Sequence, residues 1–239
     1  MSAGKQTLTV LAPAKVNLIL QVLGKRSNGY HDIRSVVVPV SVFDRIELCD
    51  ADGDEIQFTH GSGSSIKADA LKLARDGDNL AVRAAQALRE ATGVRKGLRI
   101  ALEKHIPVGG GLGGGSADAA AVLNGLNVMW NTGVGATRLG EIGSKLGCDV
   151  PALLDGGVVC MEGLGERVTP LKGKGNQLRA GWWVVLSYPG FSVSTRDIYT
   201  RHSLSLTVDD EKYKRMVRSL RVADLLLAAE NLHNDLQDT

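Results

Sequence analysis

Six of the ten residues in PVGGGLGGGS, residues 107–116, are glycine. Glycine loses more conformational freedom on folding than any other residue, about 0.5–1 kcal/mol relative to alanine in a regular element. A run this dense therefore marks backbone that turns through φ > 0 or that comes close to a ligand. The run joins a strand-like segment, residues 97–103, to a helix-like one, residues 116–130. In the latter, Ala119, Val122, Leu123, Leu126 and Trp130 form one apolar stripe.

Consecutive glycine N–H groups can converge on one concavity, and Ser116 opens a helix whose N-terminal dipole attracts anions. A side chain inside that concavity would keep phosphates out. Two other phosphate loops match less well. Gly109, Gly111 and Gly114 formally satisfy GxGxxG, but Pro107 intervenes after the strand. Position 134, where the dinucleotide fold wants an acid, is Val134. The GxxxxGK[ST] loop requires a lysine before its serine, and Gly115 stands there instead. A purely structural loop stays open at this point.

The first hundred residues read mainly as β. Residues 8–11 and 16–23 are apolar runs separated by APAK, 34–42 are β-branched, and 44–49 and 55–60 flank the turn residues 50–54. Residues 61–78 predict mostly loop, with Asp78 as N-cap of a helix over 79–92. Further helices are predicted over 137–146, 209–221 and 225–236, and strands over 158–162 and 182–187. The basic stretch 209–221 reads as a solvated helix face. Strands first and helices later, without steady βαβ alternation, predict an α+β fold.

Composition narrows the partners. A net charge of +2 gives no sign of the strongly basic face of a nucleic-acid binder, and 4% aromatics supply too few rings for a base-stacking platform. Cys49, Cys148 and Cys160 are scattered, odd in number and without CxxC. The expectation is a reducing cytoplasm and neither a disulfide framework nor a zinc site. The five histidines lack ligand-like spacing. No apolar run approaches the roughly 18 residues of a membrane span, and MSAGKQTLTV lacks signal or transit features. A cytoplasmic, bacterial-type protein is expected, monomeric or weakly dimeric, with no membrane or nucleic-acid partner.

At the glycine loop the sequence resembles the GHMP kinases, whose phosphate loop is typically P-x-x-x-G-L-G-x-x-S-[SA]. Pro107, Gly111, Leu112, Gly113, Ser116 and Ala117 match it. Two further stretches are similar to one branch of that family: APAKVNLILQVLGKRSNGYHDIRSVVVPVSVFDRIEL, residues 12–48, and LGCDVPALLDGGVVCMEGLGERVTPL, residues 146–171. That branch phosphorylates the 2-hydroxyl of 4-diphosphocytidyl-2-C-methyl-D-erythritol in non-mevalonate isoprenoid precursor synthesis. The resemblance implies the two-lobed GHMP fold, an ATP-binding lobe over residues 1–155, a smaller α+β lobe over 156–239, and ATP with magnesium as cofactors. Two rival functions remain: a GHMP kinase for another small alcohol, or a ligand sensor of the same fold without catalysis.

By the resemblance, Lys15 and Asp149 carry the chemistry. Phosphoryl transfer to an alcohol needs a proton acceptor near the hydroxyl and a cation near the developing charge. The glycine loop, with Pro107, Gly109, Gly110, Gly111, Leu112, Gly113, Gly114, Gly115 and Ser116, would cradle the ATP phosphates, with Asn79 and Lys104 near adenine and ribose. Asn17, Tyr30 and His31 would line the cytidine diphosphate substrate. The magnesium ligands are not implied. Read alone, each residue has a plainer role: Asp149 as a cap or turn, Lys15 and Lys104 as surface lysines, and Asn79 in a first helical turn. Likewise, Tyr30 could be a core-edge ring, His31 a loop histidine and Ser116 an N-cap.

The family continues past the segment matched by Asn234, Asp235 and Leu236 into a further glycine-rich stretch and closing strands. Here the chain ends at Thr239. The expectation is a C-terminal lobe lacking that stretch, with the run GWWVVL, residues 181–186, left as an exposed sheet edge.

Overall fold

The structure is a computed structural model, and it describes residues 5–66, 78–172, 182–201 and 209–237. Two long strands dominate it, β1 (Thr7–Lys25) and β2 (His31–Ala51), paired antiparallel. The sequence predicts four shorter strands here. The ladder instead runs through APAK and past Val42, because register shifts at Pro13/Ala14, Asn17/Ile19 and Val22/Gly24 absorb the misfitting residues. Pro13, which cannot donate to a ladder, sits at the first of these shifts.

The remaining elements follow in chain order. They are β3 (Ile56–His60), α1 (Leu80–Thr92), β4 (Gly97–Glu103), α2 (Gly114–Met129), α3 (Ala136–Leu146), α4 (Val150–Leu154), β5 (Val159–Gly163) and β6 (Arg167–Pro170). After them come α5 (Thr195–Arg201), α6 (Asp210–Val222), α7 (Leu225–Glu230) and β7 (His233–Asn234). One sheet runs β3-β4-β2-β1-β7. β2 is long enough to hold two neighbours end to end along one edge, β4 at residues 45–51 and β5 at residues 33–37. β6 pairs onto β5.

The main core lies between the sheet and α1 to α4, with Ile46, Leu48, Leu88, Leu98, Ile100, Leu102, Leu123 and Leu126 buried together. Neighbours along a strand point to opposite faces. Leu20 and Val37 join Ala152, Val159 and Met161, while Ile19 and Val36 join Met216 and Leu220 of α6. Helices therefore cover β1 and β2 on both faces. The expected solvated face of residues 209–221 holds for most of α6, whose buried stripe is Met216, Ser219 and Leu220. Among the described residues no helix is long and apolar enough to cross a membrane.

Three expectations need correction. Asn79, not Asp78, caps α1: its side chain accepts from the Ala81 N–H at 2.9 Å. Residues 182–187 form no strand, and Trp183 and Val185 are 96% and 95% exposed. A run of aromatic and aliphatic residues becomes a strand only when a neighbouring ladder satisfies it, and none of the described strands pairs with it. The last helix ends at Glu230, not Leu236. There His233 and Asn234 pair parallel with Ile19 and Leu20 of β1, and the Asp235 carboxylate accepts from the Val22 N–H at 2.7 Å. Of the predicted 61–78 loop, residues 67–77 lie outside the described residues.

Candidate active site

The glycine loop connects β4 to α2. Gly109, Gly111 and Gly113 take φ of +71°, +71° and +70°. Left-handed residues alternating along a loop aim successive N–H groups to one side, a concavity suited to an anion. Gly113 is also the N-cap of α2, with no side-chain cap and no acidic residue in the first turn. The first N–H groups of α2 have no intrahelical acceptor and form the positive end of the helix dipole. Ser116 is the third residue of the helix, so its hydroxyl is not spent as an N-cap.

The loop is held from both sides. The backbone N–H of Lys15 in β1 donates to the Leu112 carbonyl at 2.9 Å. Opposite, the Val193 N–H donates to the Gly109 carbonyl at 3.1 Å, and the Ser192 hydroxyl donates to the Val108 carbonyl at 2.9 Å. A Cβ on Gly113 would stand 2.8 Å from the Cγ of Lys15. Gly113→Val therefore forces a β-branched residue into a left-handed conformation and against the lysine stem. Such backbone strain costs about 1–3 kcal/mol; a loop that relieves it turns its N–H groups out of the cradle and must take the strain back to hold phosphate, so ATP affinity is expected to fall by up to roughly 150-fold with the fold retained. Titration calorimetry with a non-hydrolysable ATP analogue measures this. Unchanged affinity would return the loop to a structural role.

Lys15 and Asp149, 134 positions apart in sequence, meet with Nζ 3.4 Å from Oδ2. Asp149 precedes α4 at the N-cap position, but its side chain makes no capping bond, so both carboxylate oxygens remain for other partners. It is about one-third exposed, whereas the Lys15 side chain is 9% exposed. A buried ammonium beside a half-open carboxylate suits a fixed cation and a proton acceptor within reach of a ligand. The Lys15 ammonium also donates to the Asn17 Oδ1 at 2.7 Å.

This pair and the whole loop line one cleft of about 1510 Å³, together with Asn17, Tyr30, His31 and Lys104. Every sequence-predicted site residue is brought there except Asn79, which is buried as the cap of α1 and is not among the lining residues. Lys104 touches the cleft, but its ammonium is committed beneath the loop, to Asp118 at 2.7 Å and to Asp44. Asp44 also accepts from the backbone N–H groups of His105 and Ile106 at 2.6 and 2.9 Å. The three side chains thus tie the β4 exit to the first turns of α2.

Sequence reading missed Tyr199, Asp44 and Asp118. Tyr199 lies on α5, stacks on His31 with ring centroids 5.4 Å apart, and lines the same cleft as the exposed Tyr30. Burial pushes its phenol up to about 12, and the Asp149 charge pushes the same way, so it stays a neutral donor. Asp44 and Asp118 carried a usable signal: each is a carboxylate set in a mainly apolar stretch, VFDRI and SADAAA. A buried carboxyl needs a cation, donors or a proton of its own.

Comparison with known proteins bears on this arrangement. The GHMP kinases N terminal domain matches residues 79–157, a span from the start of α1 through the glycine loop to just past Asp149. A 4-diphosphocytidyl-2-C-methyl-D-erythritol kinase of Syntrophotalea carbinolica is 40% identical over 227 residues, covering 95% of this chain and 75% of the relative. One from Alkaliphilus metalliredigens is 37% identical over 224 residues, covering 94% and 72%. A crystal structure of a 4-(cytidine 5'-diphospho)-2C-methyl-D-erythritol kinase superposes with a TM-score of 0.65 at 32% identity, covering 90% of this chain and 72% of that one. The α+β fold expected from the sequence is the fold of these enzymes, and the chain belongs to the 4-diphosphocytidyl-2-C-methyl-D-erythritol kinase family of small-molecule GHMP kinases.

Proposed function

We propose that this chain transfers the γ-phosphoryl group of ATP to the 2-hydroxyl of 4-diphosphocytidyl-2-C-methyl-D-erythritol, a step in isoprenoid precursor synthesis. The observation that carries the mechanism is the Lys15–Asp149 pair in one cleft with an uncapped, glycine-lined helix N-terminus. The loop N–H groups hold the phosphates. Asp149 takes the proton of the acceptor hydroxyl as its oxygen attacks the γ-phosphorus and ADP departs. The Lys15 ammonium balances the charge that spreads over the transferring group. The site is divided between an ATP-binding lobe, residues 1–155, and a second lobe, residues 156–239, with β5 and β6 carrying the sheet across that boundary.

Magnesium is the second cofactor, and its chemistry is to shield phosphate charge. Among the described residues no group of three or more His, Cys, Asp or Glu side chains forms a cage for it. Magnesium usually keeps several waters and binds through substrate phosphates with few protein oxygens. The Ser116 hydroxyl, free of capping and facing the cleft, fits that minimal role.

The cytidine ring needs aromatic faces, which Tyr30, His31 and Tyr199 supply together. Stacking is worth about 1–3 kcal/mol per base. Tyr199→Ala is therefore expected to raise the KM for the cytidine substrate roughly 5- to 150-fold while leaving the KM for ATP nearly unchanged, and Tyr30→Ala to act in the same direction. An equal effect on ATP would put these rings on the nucleotide side. The function is tested by ADP release with ATP, magnesium and the cytidine substrate, against a panel with homoserine and sugar alcohols. Turnover of a panel alcohol in preference would assign a different acceptor. ATP binding without turnover of any acceptor would support the sensor reading.

A further inference from the structure

Behind Lys15 runs a chain of hydrogen bonds that nothing in the reaction so far requires. The Lys15 ammonium donates to Asn17 Oδ1 at 2.7 Å. The Asn17 Nδ2 donates to the Ser35 hydroxyl oxygen at 2.7 Å. The Ser35 hydroxyl donates to the Ile19 carbonyl at 2.7 Å. Ser35 is fully buried on β2, between Leu20 of β1 and Met161 of β5. The register shift between Asn17 and Ile19 lies beside it.

The two ends of this chain fix its direction. A backbone carbonyl only accepts, and an ammonium only donates. Ser35 has one proton, which goes to Ile19, so toward Asn17 it offers only lone pairs. The group facing it must be the amide nitrogen, and the amide oxygen must then face Lys15. A flipped amide would set N–H groups against the ammonium and an oxygen against an oxygen. Both errors would occur at once, in a half-buried place where an unmade bond is costly.

We propose that Ser35 is a positioning residue for phosphoryl transfer: through the Asn17 amide it holds the Lys15 ammonium at Asp149. The proposal rests on the kinase reading for its kinetic consequence but not for its structural one. Ser35 is fully buried and is not among the residues lining the cleft, so it acts only through Asn17. Removing its hydroxyl leaves the amide free to rotate and the lysine free to leave the carboxylate. Small misplacements of this kind cost up to about 10²-fold in rate.

Two measurements test it on the full chain. In ADP release, Ser35→Ala is expected to lower kcat about 10- to 100-fold with the KM for ATP unchanged, and Ser35→Thr, which keeps a hydroxyl, to recover most of the loss. Adding Ser35→Ala to Asn17→Ala should cost nothing further, because the relay is already cut. Independently of turnover, the rate of amine acylation at Lys15, read by mass spectrometry on the folded protein, is expected to rise in Ser35→Ala and Asn17→Ala but not in Ser35→Thr. Unchanged Lys15 labelling in Ser35→Ala overturns the relay, whatever the kinetics. Labelling that follows the relay while the wild-type chain turns over none of the acceptors overturns the kinase reading and leaves the relay standing.

Discussion

Asp149→Asn is expected to lower kcat by about 10²–10⁴-fold, the range over which a positioned general base contributes, and to change ATP affinity no more than a few-fold. The asparagine fills the same volume beside Lys15 but cannot take a proton from the acceptor hydroxyl. The Asp149 side chain makes no capping bond to α4, so its replacement removes no helix cap. The Lys15–Asp149 contact is 3.4 Å and the aspartate is about one-third exposed, so loss of the ion pair alone has a modest effect on stability. Single-turnover rates and calorimetry with an ATP analogue, run on the same protein, separate chemistry from binding. A variant that keeps more than about a tenth of the wild-type rate would rule out Asp149 as the base.

Lys104→Met is expected to lower folding stability by about 3–5 kcal/mol, because it strands the buried Asp44 carboxylate without its cation and takes the donor from Asp118. Asp44 and Asp118 are 0% and 3% exposed at the side chain, and Lys104 8%. Asp118→Asn should be mild by comparison. Burial pushes the Asp118 carboxyl from its usual 3.8 up to about 8, with Lys104 pulling it down and Asp44 pushing it further up. At neutral pH it is held largely as the acid, and an amide replaces an acid with little change of shape. The sign with pH follows. The folded value lies above the unfolded one, so the native state keeps a proton that the unfolded chain releases. The stability from that proton is complete below about pH 4 and is lost as pH rises through about 8. Denaturant titrations from pH 5 to pH 9 should therefore show stability declining in the wild type more steeply than in Asp118→Asn. Equal slopes would mean that Asp118 is ionised in the fold, and a Lys104→Met protein as stable as wild type would mean that the three groups are not enclosed.

What was legible in the sequence was whatever local pattern decides. The glycine loop, the strand over 97–103 and the helix after it stand almost where periodicity puts them, since turn chemistry and apolar spacing act over a few residues. The length of β1 and β2 was not legible, because nothing local says that a bulge will carry a ladder past Pro13. The run 182–187 misled for the opposite reason: its aromatic and valine residues favour a strand, but a strand is a property of two paired segments. In the candidate site, Lys15 and Asp149 read individually as a surface lysine and a turn residue; only motif resemblance joined them. Tyr199 was invisible, since a lone aromatic in DIYTR announces nothing until α5 is set against His31.

Lys15 spends its backbone on one task and its side chain on another. The N–H pins Leu112 in the glycine loop, the stem lies where a side chain on Gly113 would have to be, and the ammonium reaches Asp149. For anyone exchanging parts between enzymes of this fold, the smallest transplantable unit is then not the decapeptide PVGGGLGGGS. Grafted alone, it would arrive without the strand that sets its curvature, and the host's own lysine would meet an unfamiliar loop. A working chimera has to move β1 from its first bulge to Asn17 along with the loop, with Ser35 of β2 behind it, as a single cassette drawn from three separate places in the gene.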